Sequence, residues 1–198
     1  MAASTTNALV ADLSEFMRLV DSEIQAVDEQ HVIALLIVSL QRSDRIQAIL
    51  QTQYAQSVQQ HFCELILPSL RDKDRFVFAT ENECWFLLPQ LSSEALAVLA
   101  VHRLLAALGS PLTIESQTVF FHPTIGIACA PLHAKNAFDL VRTADQAQKN
   151  AQLNNVRFEM AIVQRDQRSR PDELPRAIKT VVDDNALEMR YQPKVDLR

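Results

Sequence analysis

Apolar and polar positions follow three rhythms along the chain. From about Asn7 to Asp28, Leu9, Leu13, Phe16, Val20, Ile24 and Val27 recur three and four residues apart. That spacing lines one face of an α-helix, so a helix is predicted there. Residues 32–40 (VIALLIVSL) are almost continuously aliphatic and rich in β-branched side chains, the mark of a strand buried on both faces. Helical spacing returns over 43–67 through Ile46, Ile49, Leu50, Val58, Phe62, Leu65 and Ile66. Ser43 is placed to cap that helix and Pro68 to close it.

Two short apolar runs, 75–79 (RFVFA) and 84–88 (CWFLL), flank the polar Thr80-Glu81-Asn82-Glu83 and read as a β-hairpin. In the second run Trp85 and Phe86 alternate faces, packing in the core or at an interface. A helix follows over 92–108, with Gly109 at the C′ position and Pro111 beyond it. A second hairpin pairs 112–114 (LTI) with TVFFH, which leads into TIGIACA at 124–130. Asn136 or Asp139 opens a helix to about Gln152, and 156–161 (VRFEMA) is the last strand. The order α-β-α-β-β-α-β-β-α-β predicts an α/β fold of the α+β type, with a central, mostly antiparallel sheet flanked by helices. Residues 163–175 are polar, hold two prolines and read as a linker; a short helix to about Asp184 and the strand-like LEMRYQPKVDL follow. The predicted domain therefore covers 1–162.

Composition narrows the function classes. The 198 residues carry 19 basic and 24 acidic side chains, a net charge of −5, which offers no broad attraction to nucleic acid or anionic lipid. Only two glycines occur, Gly109 and Gly126, where average usage would give roughly fourteen. Walker A loops, dinucleotide fingerprints and nucleophile elbows need closely spaced glycines and are excluded. The apolar run at 32–38, which no other run exceeds, is far short of the ~20 residues of a membrane span. The N-terminus lacks the basic region of a signal peptide. Cys63, Cys84 and Cys129 are an odd set without CxxC, which predicts free thiols in a cytoplasmic protein with neither disulfide nor zinc. The five histidines show no metal-ligand spacing. Glu81 and Glu83 are spaced to share a side of the hairpin tip, as a solvated turn or an acid pair.

Two segments carry a resemblance. TIGIACAP (124–131) resembles the SxGxAxxP strand of the GGDEF family of diguanylate cyclases. FDLVRTADQAQKNAQ (138–152) is similar to that family's LlrxADxAlYxAK helix, with Ala144, Asp145, Ala147 and Ala151 in register. The resemblance implies a fold like a nucleotidyl cyclase or polymerase palm. Counted backward, the first hairpin tip, TENEC (80–84), falls where GGDEF itself stands. LPRAIKTVVDDNALEMRYQPKVDL (174–197) resembles the opening of an EAL domain, whose first barrel strand carries YQPxxDL. Residues 163–198 then form a linker helix and the start of that domain. Its metal-binding carboxylates, needed for phosphodiesterase activity, would lie beyond residue 198.

The resemblance also says what the chemistry needs. Joining two GTP molecules takes Mg²⁺ held by carboxylates on adjacent strand ends. The family's first-strand Asp corresponds to Ser39 and the third residue of GGDEF to Asn82. The two phosphate-approaching glycines correspond to Thr80 and Glu81, and Glu81 places negative charge where triphosphate would lie. The guanine-reading residues fall near Gln47 and Gln56, and the phosphate-facing Lys is Gln152. Glu83 alone survives, and Cys84 ends the vestigial motif. The expectation is a site with no catalytic residues, metal or cofactor. Such a domain would be a regulatory, dimerising or cyclic di-GMP-sensing module.

Arg71-Asp72-Lys73-Asp74 supplies RxxD, five residues before TENEC, the spacing of the family's inhibitory site for cyclic di-GMP. There Arg71 would take phosphate or a guanine edge, and Asp74 would accept from guanine N–H groups. The same four residues also suit an ordinary charged turn. Expected partners are cyclic di-GMP, the EAL domain of the same protein, and a second copy or another signalling protein. Two readings remain beside this one: an adaptor without nucleotide binding, and residual GTP binding or cyclase activity through Glu83.

Overall fold

The computed structural model describes residues 8–41, 55–114, 117–119 and 121–162. Helix α1 (Leu13–Ala26) leads into strand β1 (Val32–Gln41); helix α2 (Ala55–Ile66) runs into a 3₁₀ turn at Leu67–Ser69. The hairpin β2 (Arg75–Thr80) and β3 (Glu83–Leu91) follows, then helix α3 (Glu94–Leu108). Strands β4 (Leu112–Ile114), β5 (Gln117–Val119) and β6 (His122–Ala130), helix α4 (Ala137–Leu153) and strand β7 (Phe158–Met160) complete the described chain. The main sheet has the order β2-β3-β1-β6-β7, and β4 and β5 form a separate pair. All pairings in the main sheet are antiparallel except β6 with β7. The α+β architecture is the one predicted.

β1 is central, and its alternating side chains enter two cores. Ala34, Leu36, Val38 and Leu40 join Phe76, Phe86, Ile125 and Ile127 under Phe62 and Ile66 of α2 and Val101 and Leu104 of α3. Ile33, Leu35 and Ile37 join Val77, Leu87 and Ala128 under Phe16 and Val20 of α1 and Leu140 and Ala144 of α4. That is why the run at 32–40 shows no polar alternation.

Several sequence expectations change at their edges. α1 begins at Leu13, capped by Asp12, whose carboxylate accepts from the Glu15 N–H at 2.8 Å. Leu9 is not on the helix. Residues 8–10 instead run parallel to β2, with Phe76 N–H donating to the Ala8 carbonyl and Val10 N–H to the Phe76 carbonyl, both at 2.8 Å. This covers the outer edge of β2, so edge pairing outweighed helical spacing. Of the predicted helix over 43–67, the described part is Ala55–Ile66; Ser43 and Gln47 lie outside the described residues. Pro68 sits inside the 3₁₀ turn, where its missing N–H costs nothing. Gly109 caps α3 in the right-handed region, φ −75°, not as a left-handed C′ residue.

LTI pairs with Gln117–Val119 alone, and the TIGIACA strand pairs with β1. The second hairpin therefore resolves into three strands. Asn136, not Asp139, caps α4. β7 spans three residues because the N–H of Val156 turns back to the Ala151 carbonyl at 2.9 Å. The linker, short helix and YQP strand over 163–198 lie outside the described residues. No described helix is long and apolar enough to cross a membrane.

Gly126 sets the spacing between α4 and the sheet. A Cβ there would lie 2.1 Å from the Ala144 carbonyl oxygen and 2.3 Å from the Gln148 nitrogen. α4 presents Ala144, Ala147 and Ala151 to this contact, all buried. Small residues on both sides let the helix backbone touch the strand.

Candidate functional site

The residues at the motif positions gather at one end of the sheet, where β1 finishes, the β2–β3 turn folds back and β6 begins. Ser39 lies in register with Glu83 of β3 on one side and Thr124 of β6 on the other. Thr80 pairs with Glu83, so the hairpin closes through two residues, Glu81 and Asn82, rather than the four-residue tip expected from sequence. Asn82 fixes this turn: its N–H donates to Thr80 Oγ1 at 3.2 Å, and its carbonyl accepts from the Leu40 N–H at 2.8 Å. The tip is thereby tied to the end of β1.

Glu83 is already engaged. Its Oε1 accepts a hydrogen bond from the indole Nε1 of Trp85 at 2.6 Å. Residues two apart on a strand share a face, so this clamp was legible in the sequence as Glu83-x-Trp85. α4 supplies Lys149 nearby. Its ammonium lies 2.5 Å from Asp145 Oδ2, and that hydrogen bond holds its pKa above the usual lysine value, with a smaller contribution from Glu83. Glu81 is exposed on the turn, and Gln152 is exposed on α4. Gln56 falls on α2.

Cys84 turns into the core between the sheet and α2, where burial pushes its thiol well above the usual value and leaves it unreactive. Cys129 is likewise raised to about 12 by burial.

A divalent cation of the Mg²⁺ kind needs hard, preferably anionic oxygens. Ser39 offers a hydroxyl and Asn82 an amide, which leaves Glu83, with Oε1 accepting from Trp85, as a single carboxylate in register with Ser39. Among the described residues no group of three or more His, Cys, Asp or Glu side chains could hold a metal ion. The residues present do not fit the cation the resemblance implies. Two buried side-chain atoms have no hydrogen-bond partner among the described residues, Asn82 Oδ1 of the hairpin turn and Gln148 Nε2 of α4. Gln148 gave no signal in the sequence, because a Gln on a helix rich in polar residues reads as solvent-facing.

Arg71 and Asp74 meet directly. Arg71 Nη2 lies 2.6 Å from Asp74 Oδ1, and Arg71 Nε donates to the same oxygen at 3.0 Å. The other carboxylate oxygen accepts from the Arg71 N–H at 2.8 Å. Nη2 also reaches the Pro89 carbonyl at 2.9 Å, joining this turn to the end of β3. The Asp74 side chain is 4% exposed and that of Arg71 42% exposed. Asp74 thus holds the turn together, while part of the guanidinium faces solvent; its Nη1 has no partner among the described residues. Lys73 bonds Gln90 Oε1, and Arg75 Nη1 caps the Asp72 and Asp74 carbonyls at 2.7 and 2.8 Å.

Comparison with known proteins agrees with this geometry. Residues 13–157 match the family described as diguanylate cyclase, GGDEF domain. Among solved structures, the GGDEF domain of YfiN (TpbB) from Pseudomonas aeruginosa is 23% identical, with a TM-score of 0.70 over 81% of this chain and 98% of that one. An EAL/GGDEF domain protein from M. capsulatus is 19% identical, with a TM-score of 0.59 over 77% of this chain and 97% of the other. The GGDEF domain of DgcB from Caulobacter crescentus, solved in complex with c-di-GMP, is 12% identical with a TM-score of 0.59, over 75% and 88% of the two chains. No curated protein matches the chain.

Proposed function

The chain belongs to the GGDEF family, and from that premise we propose that it is a catalytically inactive member serving as a regulatory module in cyclic di-GMP signalling. One observation carries this reading. At the family's two metal-ligand positions stand the neutral Ser39 and Asn82, and Ser39 is in register with Thr124 on one side and with Glu83, whose Oε1 accepts from Trp85, on the other. Triphosphate arriving there would meet the carboxylate of Glu81 and no cage of anionic metal ligands to hold the cation that offsets its charge. The segment from about Pro171 onward is the start of an EAL domain in this reading, and the module acts on that domain, on a second copy or on another signalling protein. Calorimetric titration with GTP and Mg²⁺ tests it: no binding heat is expected, and saturable binding that depends on Mg²⁺ would refute it.

A second reading, cyclic di-GMP sensing at Arg71 and Asp74, is favoured by the exposed part of the Arg71 guanidinium. A ligand phosphate or guanine edge would share Arg71 with Asp74 and the Pro89 carbonyl. A charge-assisted contact of this kind is worth about 1.5–3 kcal/mol, so Arg71→Ala should weaken binding roughly 10- to 100-fold. Absence of heat with excess cyclic di-GMP, or affinity unchanged in the variant, returns Arg71 and Asp74 to a purely structural turn and leaves the adaptor role.

A further inference from the structure

β6 lies between β1 and β7, and Ile125 and Ile127 turn backbone groups toward β7. The Ile125 N–H donates to the Arg157 carbonyl at 3.0 Å, and the Ile127 carbonyl accepts from the Ala161 N–H at 2.8 Å. In a parallel ladder the next rung would run from the Cys129 N–H to the Ala161 carbonyl. The Cys129 N–H goes elsewhere: it donates to Nδ1 of His133 at 2.8 Å. The Cys129 carbonyl is also taken, accepting from the His133 N–H at 2.7 Å. The backbone of Ala161 is a further hydrogen-bond partner of the ring. An imidazole thus stands in for the last rung between the two strands, and β7 ends at Met160.

A ring nitrogen accepts only while it carries no proton. With Nδ1 accepting, the single proton of the neutral ring sits on Nε2. A second proton would set Nδ1–H against the Cys129 N–H, donor against donor at 2.8 Å. Burial favours the neutral ring, while Glu94 at the start of α3 and the Cys129 and Ala161 backbones favour the charged one. The thiol of Cys129 is pushed up to about 12 by burial and stays neutral, so Glu94 is the charged group acting on the ring among the described residues. We propose that His133 is a proton-operated latch: neutral, its ring bridges the ends of β6 and β7; protonated, it leaves the Cys129 N–H for Glu94 and releases the end of β7. Ile162, 82% exposed, follows at once, so release loosens the chain where it passes into residues 163–198. The latch sits past the end of β6, whereas the motif positions lie where that strand begins, and it operates independently of catalysis there.

Amide NMR of the full chain, taken from about pH 8 down to about pH 5 across the histidine range, tests the latch. The Cys129 amide shift should titrate together with the His133 ring. Through the same midpoint the Ala161 N–H, corrected for the intrinsic pH dependence of exchange, should lose protection about fivefold, the worth of one hydrogen bond, while β1 amides keep theirs. His133→Gln supplies an acceptor that takes up no proton, and its Ala161 protection should not vary with pH. Glu94→Gln weakens the pull on the charged ring, so the midpoint should move to lower pH. Ala161 protection that stays constant or rises on acidification of the wild type would overturn the proposal. An equal loss in His133→Gln, or a midpoint unmoved in Glu94→Gln, would overturn it as well.

Discussion

Replacing Gly126 with alanine adds a single methyl at the tightest contact between α4 and the sheet. The new Cβ would meet the Ala144 oxygen at 2.1 Å, the Gln148 nitrogen at 2.3 Å and the Gln148 Cβ at 2.7 Å. Carbon atoms rest about 3.5–4.0 Å apart, so α4 must retreat by about 1 Å. The first two obstacles are backbone, and no rotamer change relieves them. Retreat opens a gap over Ala128, Leu140 and Ala144, and a gap of that size forfeits about a quarter to a half of each contact's attraction. Overpacking of this kind costs about 1–3 kcal/mol and sometimes more, and here the upper end, about 3 kcal/mol, is expected. That is a large share of a typical total of about 5–15 kcal/mol. Urea unfolding followed by circular dichroism reads the loss as a lower midpoint at unchanged slope. Gly109→Ala is the control: its Cβ has 3.1 Å to the Leu105 oxygen and an ordinary φ of −75°, and a change within about 0.5 kcal/mol is expected. A Gly126→Ala protein as stable as wild type would refute the close-approach argument.

Further outcomes follow from the same structure. Arg71→Ala leaves the nearly buried Asp74 carboxylate without its guanidinium; with Arg71 partly in solvent, the loss should be about 1–3 kcal/mol, below that of a fully buried pair, and a urea midpoint unchanged from wild type would contradict the pairing. Trp85→Phe removes the donor to Glu83 and should cost about 1 kcal/mol without creating GTP binding, as thermal unfolding and calorimetry can check. His133 is held below its ordinary pKa of 6.5, chiefly by burial, and its Nδ1 accepts from the Cys129 N–H at 2.8 Å. The unfolded chain therefore takes up the proton first as pH falls, so stability should drop from about pH 6.5 downward through the lowered folded-state value. His133→Gln should flatten that dependence in urea midpoints measured across pH; an undiminished slope would place its source elsewhere.

Much of this was legible before the fold was known, and the exceptions have physical causes. The unbroken apolar run at 32–40 foretold the central strand because burial on both faces erases alternation. Gly126 stood out as one of two glycines, and the helix touching it explains why no side chain fits. Leu9 misled because an edge-covering strand borrowed a helical spacing. The strand at 117–119 reads as continuous with 122–130 because a three-residue element carries too little pattern to separate. At the site, the register of Ser39 with Glu83 could not be read from residues far apart in sequence. The Arg71–Asp74 motif looked the same as ligand site or as turn, since the same charge pair serves both. Gln148 was invisible, because only the depth of its helix face distinguishes it from the solvated glutamines beside it.

Catalytic inactivity is the central claim, and direct assay of synthesis tests it. The purified chain is incubated with GTP and Mg²⁺, and product is separated by chromatography beside a no-protein control. No cyclic di-GMP is expected, either from wild type or from the Ser39→Asp, Asn82→Asp double variant, because Thr80 and Glu81 still obstruct the phosphates. Cyclic di-GMP formed by the wild-type protein above the control would contradict the account.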